Sequence, residues 1–265
     1  MTLFIIPASQ NAMTVPQPAI TAVASAASYD NTGVAPGEFV AIFGQSLGPQ
    51  TPQFGAADST GKLPTTLGGV QVLFNGYPAP VDYTSAGQIN AIVPFEAALF
   101  STVNVQAINE GNASAAFSLA VVSSLPGMFT AKGTGSGQAA VLNQNNTVNS
   151  ASNPERVGNV LQMFATGDGA RTPPEIDGRL PSTVLTKPAL ACAVTIGGLN
   201  ATVTYCGDSA WVCRTVSGQC EDSRRRRARK QRARAGNRGN RGQPEQRDYS
   251  GSVGGGAAGQ SLFQR

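Results

Sequence analysis

Apolar and polar residues alternate along this chain wherever glycine and proline do not interrupt them. Val70-Gln71-Val72-Leu73-Phe74 alternates and runs into Asn75-Gly76. Both of those residues tolerate φ > 0, the condition for a two-residue hairpin turn. Ala79 to Tyr83 is therefore the predicted partner strand. Phe39-Val40-Ala41-Ile42-Phe43 is a buried-strand candidate entered after Pro36-Gly37. Gln88 to Pro94, Val103 to Ile108 and Ala115 to Val122 complete a first set, with Glu110-Gly111-Asn112 as the turn between the last two.

The pattern then recurs. Gly37 to Phe43 resembles Gly158 to Phe164, 121 positions later, and Phe74 to Tyr83 resembles Ile196 to Tyr205, 122 positions later. Two matches at nearly one offset predict a duplicated unit of domain size. Solenoid repeats are shorter, roughly 20–50 residues. The boundary is expected near Ser123 to Gly127. The divisions that follow are an N-terminal segment 1–17, a first β-sandwich 18–124, a second 125–208 and a tail 209–265.

Composition sharpens this. Apolar residues make up 41% of the 265 and charged residues only 13%, with 31 Gly and 17 Pro. Such a mix suits short strands joined by many turns, a sandwich or barrel rather than a helical bundle. The chain contains no histidine, which removes Ser-His-Asp and Cys-His catalysis and histidine-based zinc sites. No apolar run reaches the length of a membrane span. The start, with Leu3 to Ile6 as its apolar patch, lacks the positive n-region and the length of a signal peptide. It reads as an ordinary N-terminus or as a start that has lost an export signal.

Charge divides the chain near residue 209. Residues 1–208 hold 6 Lys+Arg against 11 Asp+Glu, and residues 209–265 hold 13 against 4. The cationic excess is concentrated in Arg224, Arg225, Arg226, Arg227, Arg229, Lys230, Arg232 and Arg234. Clustered guanidinium groups neutralise phosphates and bind nucleic acid without sequence preference. No aromatic residue interrupts the run to stack on bases.

The remaining chemical candidates are sparse. Cys192 and Cys206 flank a predicted hairpin turning at Gly197-Gly198, so they are candidates for a disulfide across two strands, given close Cβ atoms. Cys213 and Cys220 add no zinc-type spacing. Asp168-Gly169, Glu175 and Asp177-Gly178 offer oxygen ligands of the kind calcium takes, but not at EF-hand spacing. Turn formation is their expected role. Gly133 to Gly137 has the composition of a phosphate loop without the lysine or helix that should follow. Glu96 and Glu110 form a carboxylate pair only if the fold joins them. Tyr83 and Tyr205 occupy equivalent places in the two repeats and are expected to pack their rings and tie their hydroxyls to backbone.

Several of these segments resemble one family. Pro36 to Gly44 with Leu47-Gly48-Pro49, Leu67 to Val70 with Phe74 to Pro80, Ser85 to Pro94, Pro126 to Phe129, Gly137 to Asn143 and Phe164 to Gly169 are similar to a domain found at the C-termini of Solibacter and other acidobacterial secreted proteins. The resemblance covers about residues 20–208. It implies units like the immunoglobulin-like domains of the IPT/TIG type and an extracellular or cell-surface setting.

The family pattern continues after Tyr205 with a Pro-Gly turn and a strand near GLFQVNVxIP, and this chain departs from it. Permitted codons for Ala210 to Ser217, read from the second base, give PGSVGLFQ, and the same frame carried onward gives VNVKIP and further strands. Arginine runs are what GC-rich coding DNA yields out of frame. Residues from about 209 onward therefore read as a shifted frame, disordered in solution. The second sandwich is expected to lack its last strands and to leave an unpaired edge.

The sequence as a whole predicts an all-β protein: two tandem immunoglobulin-like sandwiches, the second incomplete, and a disordered basic tail. It predicts no catalytic residues, cofactor or metal. The expected role is a non-catalytic structural, adhesion or partner-binding module of a secreted or surface bacterial protein, whose partner is a protein or an extracellular polymer. The alternative is a nucleic-acid-binding protein using the arginine run as its arm.

Overall fold

The computed structural model describes residues 16–180 and 185–208, and the backbone of 211–214. It is all-β, with a single 3-10 turn, Phe95–Leu99. The first half contributes β1 (Ala19–Ser25), β2 (Phe39–Gln45), β3 (Gln53–Phe54), β4 (Val70–Phe74), β5 (Tyr77–Pro78), β6 (Val81–Thr84), β7 (Gln88–Ile92), β8 (Thr102–Asn109), β9 (Asn112–Ala113) and β10 (Phe117–Ala120). Two sheets result, in the orders β1-β2-β7-β6-β3 and β10-β8-β4-β5, with β9 paired to β8.

Alternation places one side of each strand inward. Val70, Val72 and Phe74 of β4 and Val103, Val105 and Ala107 of β8 join Val40, Ile42, Val81, Ile89 and Ala91 in one buried cluster. Each of these side chains contributes roughly 1.5–3 kcal/mol for full burial, alanine less. This core holds the first half together.

The predicted hairpin at Asn75-Gly76 forms, with φ of 47° and 86°. Its partner strand differs from the expected Ala79 to Tyr83. Tyr77 and Pro78 pair with β4, and then the chain crosses to the other sheet, where Val81 to Thr84 pair with β7. Pro78 and Pro80 have no N–H to continue the β4 ladder. The segment therefore turns a corner between sheets instead of completing one hairpin. Asn75 reinforces the turn from its side chain, donating to Thr102 O at 3.2 Å and accepting from the Asn104 amide at 2.8 Å.

The second half contributes β11 (Gly127–Met128), β12 (Val141–Leu142), β13 (Val160–Met163), β14 (Ala165–Thr166), β15 (Arg171–Thr172), β16 (Lys187–Pro188), β17 (Val194–Ile196), β18 (Leu199–Tyr205) and β19 (Trp211–Arg214). They form a five-stranded sheet, β12-β13-β19-β18-β17, and two ribbons, β11-β14 and β15-β16. The apolar cluster here is smaller: Val141, Leu161 and Met163 are buried, and Val194, Ile196 and Ala201 are partly so. Cys192 and Cys206 are joined by a disulfide, with Cα atoms 6.5 Å apart, beside the β17–β18 hairpin.

The repeat seen in the sequence has a counterpart in the ladders. The order β1-β2-β7-β6 reappears as β12-β13-β19-β18. Phe39 faces Ile92 across β2 and β7, and Val160 faces Arg214 across β13 and β19. The β6–β7 ladder shifts register between Val81 and Tyr83, and the β18–β19 ladder shifts between Val203 and Tyr205. A bulge adds one residue and extra twist to a strand, and here it recurs at the equivalent place.

One expectation changes as a result. The second sheet was expected to end at 208 with its last strands missing. Trp211–Arg214 instead occupies the slot that β7 fills in the first half, paired on both sides. The sheet therefore runs six residues past the expected boundary. A slot between two strands supplies hydrogen-bond partners to any backbone that can extend into it, which is why four residues of unusual sequence take it. The rest of the tail lies outside the described residues.

Candidate functional site

The two halves meet along a strap, residues 167–180, that leaves β14 and crosses the first half. At its near end the Phe39 amide donates to Thr166 Oγ1 at 2.7 Å, and the Leu125 amide donates to Gly167 O at 2.8 Å. Gly167 has φ +87°, and a Cβ there would collide with the Leu125 carbonyl. Only glycine satisfies both conditions cheaply. At the far end the Phe95 amide donates to Asp177 Oδ1 at 2.8 Å. The Leu63 amide donates to Gly178 O, and the Leu180 amide to Gly61 O. Lys62 and Arg179 pair as an isolated antiparallel bridge.

Between the anchors the strap folds around Arg171. Its guanidinium lies 3.1 Å from Asp168 Oδ2 and 3.2 Å from Glu175 Oε2, and also pairs with Asp208 Oδ1. The Asp168 side chain is fully buried, and those of Arg171 and Asp208 are nearly so. Asp208 Oδ2 accepts from the Thr186 amide at 2.8 Å and the Thr186 hydroxyl at 2.9 Å. The Tyr205 hydroxyl donates to Asp208 O at 3.0 Å. One cation thus gathers three carboxylates, two from the strap and Asp208 from the end of the second half. Arginine suits this task because its planar fork presents several donors at once.

Glu38 forms a second buried acidic position, next to the near anchor. It is completely shielded from solvent. The Ala35 amide donates to its Oε2 at 2.8 Å, while its Oε1 has no partner within hydrogen-bonding geometry. A Cβ at Gly167 would come within 3.5 Å of the carbon of this carboxyl.

Burial dominates the electrostatics, because desolvation disfavours the charged form of a carboxyl. It pushes Glu38 up to about 8, Asp30 adding to the effect and the Ala35 amide and Ser25 hydroxyl opposing it. It pushes Asp168 up to about 6, with Arg171 opposing and Asp208 adding. It also pushes Asp177 up to about 6; the Phe95 amide opposes this, and the Glu96 carboxyl adds to it. Glu175 is raised by burial and by Asp208 and Asp168, against Arg171.

The sequence candidates fall into place around this junction. Asp168 and Glu175 converge on Arg171, whereas Asp177 turns to the Phe95 amide. Among the described residues no group of three or more His, Cys, Asp or Glu is arranged to hold a metal ion. Gly133 to Gly137 is a connecting loop: the Tyr29 hydroxyl donates to Gly133 O at 3.1 Å, and Thr130 Oγ1 accepts from the Thr134 amide. Glu96 opens the 3-10 turn beside Asp177, whereas Glu110 sits in the β8–β9 turn against Gly69. Tyr205 ties its hydroxyl to backbone as expected. Tyr83 instead packs edge-on against exposed Phe54, with ring centroids 5.3 Å apart. Leu3 to Ile6, Cys220 and the run Arg224, Arg225, Arg226, Arg227, Arg229, Lys230, Arg232 and Arg234 lie outside the described residues.

Sequence reasoning missed Glu38 and Arg171. A faint signal existed for each. Glu38 is a lone charge at the mouth of a buried strand. Arg171 is one of only six cationic residues before 209, and it stands among Asp168, Glu175 and Asp177. Comparison with known proteins finds no matching family model, no matching curated protein and no matching solved structure.

Proposed function

We propose that this chain is a non-catalytic spacing or partner-binding module of a secreted or cell-surface bacterial protein. The observation that carries the reading is how the buried acids are used. Asp168, Glu175 and Asp208 are all turned onto Arg171, and Asp177 holds the Phe95 amide. A catalytic acid or base must reach a substrate, whereas the acids on Arg171 brace the second half from within and Asp177 fastens the strap to the first half. The Cys192–Cys206 disulfide supports an oxidising compartment. The resemblance to the Solibacter-type secreted domain supports the same setting. Binding contacts would then come from loops and exposed sheet edges on a rigid scaffold.

The test uses the full, oxidised chain. It is assayed for turnover on ester, glycoside and phosphate substrates, and for co-sedimentation with insoluble extracellular polymers such as peptidoglycan and cellulose. Retention on a polymer with no turnover supports the module. Turnover that survives repeated purification overturns it. The arginine run of the sequence favours one second reading, a nucleic-acid arm. That reading requires duplex DNA binding that weakens steeply with salt and disappears when residues 215–265 are removed.

A further inference from the structure

The strap is anchored to the first half at two points, with a buried acid, Glu38, at one and a half-buried acid, Asp177, at the other. At the near anchor the Glu38 carboxyl lies where a Cβ on Gly167 would reach it, 3.5 Å away, and the Phe39 amide that follows it donates to Thr166 Oγ1. At the far anchor Asp177 takes the Phe95 amide beside Glu96, whose buried Oε2 has no hydrogen-bond partner. We propose that this junction is a proton-responsive latch. Glu38 and Asp177 close it as neutral acids, and loss of their protons releases the strap from the first half.

The surroundings make ionisation unfavourable while the latch is closed. Among the described residues, the charged group acting on Glu38 is Asp30, of like sign. Glu38 Oε1 has no partner within hydrogen-bonding geometry, and the Ala35 amide and Ser25 hydroxyl offset burial only in part. Asp177 faces Glu96 and, more weakly, Lys62. Arg171 cannot serve either acid, because Asp168, Glu175 and Asp208 already occupy it. Opening the strap admits water to both carboxyls and lets them ionise. The rest of the first half is held by its own apolar core, so the latch can open without unfolding it. Raised pH therefore favours a chain whose strap is free, its halves still joined through the connection near Ser123 to Gly127 and the bond from the Tyr29 hydroxyl to Gly133 O.

Amide hydrogen exchange on the full oxidised chain tests this directly. The Phe39 and Phe95 amides report the near and far anchors, and amides of the β2–β7 ladder report the core. The strap opens more readily by up to about tenfold per pH unit while Glu38 is protonated closed and ionised open. Protection at Phe39 should therefore fall by up to about a hundredfold from about pH 6 to about pH 8, after correction for intrinsic rates. Core protection should fall much less. Glu38→Gln should abolish the fall at Phe39. Asp177→Asn should abolish the smaller, lower-pH fall at Phe95. Protection at Phe39 that is flat with pH, or that changes in step with the core, overturns the proposal. So does a Glu38→Gln chain that keeps the wild-type fall. The wild-type measurement decides alone if either variant fails to fold.

Discussion

Replacing Glu38 by glutamine should shift stability in the variant's favour as pH rises, with a net gain above about pH 7. Glu38 is fully buried with one carboxyl oxygen unpartnered, and burial raises its pKa from 4.5 to about 8. A carboxyl raised in the folded state holds its proton there after the unfolded chain has lost it. Stability is therefore greatest below the unfolded value, falls as pH climbs towards the folded value, and levels off above it. At about 1.4 kcal/mol per pH unit, the loss is about 1 kcal/mol at pH 5, about 3 at pH 7 and about 5 at pH 9. Glutamine keeps the shape and an acceptor for the Ala35 amide without this titration. Its extra N–H, left without an acceptor, takes back about 1–3 kcal/mol. Urea melts of both chains at pH 5, 7 and 9, with the disulfide intact, measure the difference. The gap between variant and wild type should widen by about 4 kcal/mol across that range. A gap that does not vary with pH would show that Glu38 is ionised in the folded protein, and the reasoning above would be wrong.

Three other outcomes follow from the same geometry. Arg171→Met leaves Asp168, Glu175 and Asp208 without their cation; thermal melts should show a loss of about 3–5 kcal/mol, partly recovered at low pH as Asp168, already raised by burial, takes up its proton. Reducing Cys192–Cys206, or replacing both by serine, reopens a bridge between residues 14 apart; urea melts should record a loss of about 3 kcal/mol. Ending the chain at Asp208 removes β19 from between β13 and β18, and their amides should exchange at the rate of open edges, whereas a chain ending at Arg214 should keep their protection.

How much of this could be read from the sequence depends on the range of the interactions involved. Strand positions follow a period of two, so β2, β4, β7 and β8 were legible from Phe39, Val70, Gln88 and Val103 onward. The Asn75-Gly76 turn was legible because only a few residue types adopt its backbone. The corner after it was not read, although Pro78 and Pro80 carry it, because the choice of sheet is made by β7 from across the molecule. The acidic residues of the strap were noticed through their turn chemistry. Their common partner was not, since Asp208 lies 37 residues from Arg171 and ion pairing at that distance leaves no local pattern. Glu38 shows the same limit: a lone glutamate before an apolar strand looks solvated until the strap covers it.

The last strand bears on the reading frame in an unexpected way. Residues from 209 onward depart from the pattern of the domain that the sequence resembles, and an alternative frame supplies the strand expected from that resemblance. Yet Trp211–Arg214 stands in the β7 slot with the register of the first half, Arg214 facing Val160 as Ile92 faces Phe39, and Cys213 facing Val203 as Ala91 faces Val81. The ladders of β13 and β18 define that slot, because each offers a row of backbone donors and acceptors to whatever extends between them. Filling it therefore carries little information about the side chains, and either frame meets its backbone demand. What the slot does not provide is an opposing sheet. In the first half β4 and β8 bury Val70, Val72, Val103 and Val105 against β2 and β7, and that face depends on side chains. The two frames differ there: one continues into VNVKIP and further alternating strands, the other into an arginine run that cannot be buried unpaired. Sequencing the gene across codons 205–265 decides between them. An alternating second frame would make the arginine tail a misreading and the second half a complete sandwich in the intact gene. A confirmed frame without that ending would leave a natural sheet closed by four residues and followed by a basic arm.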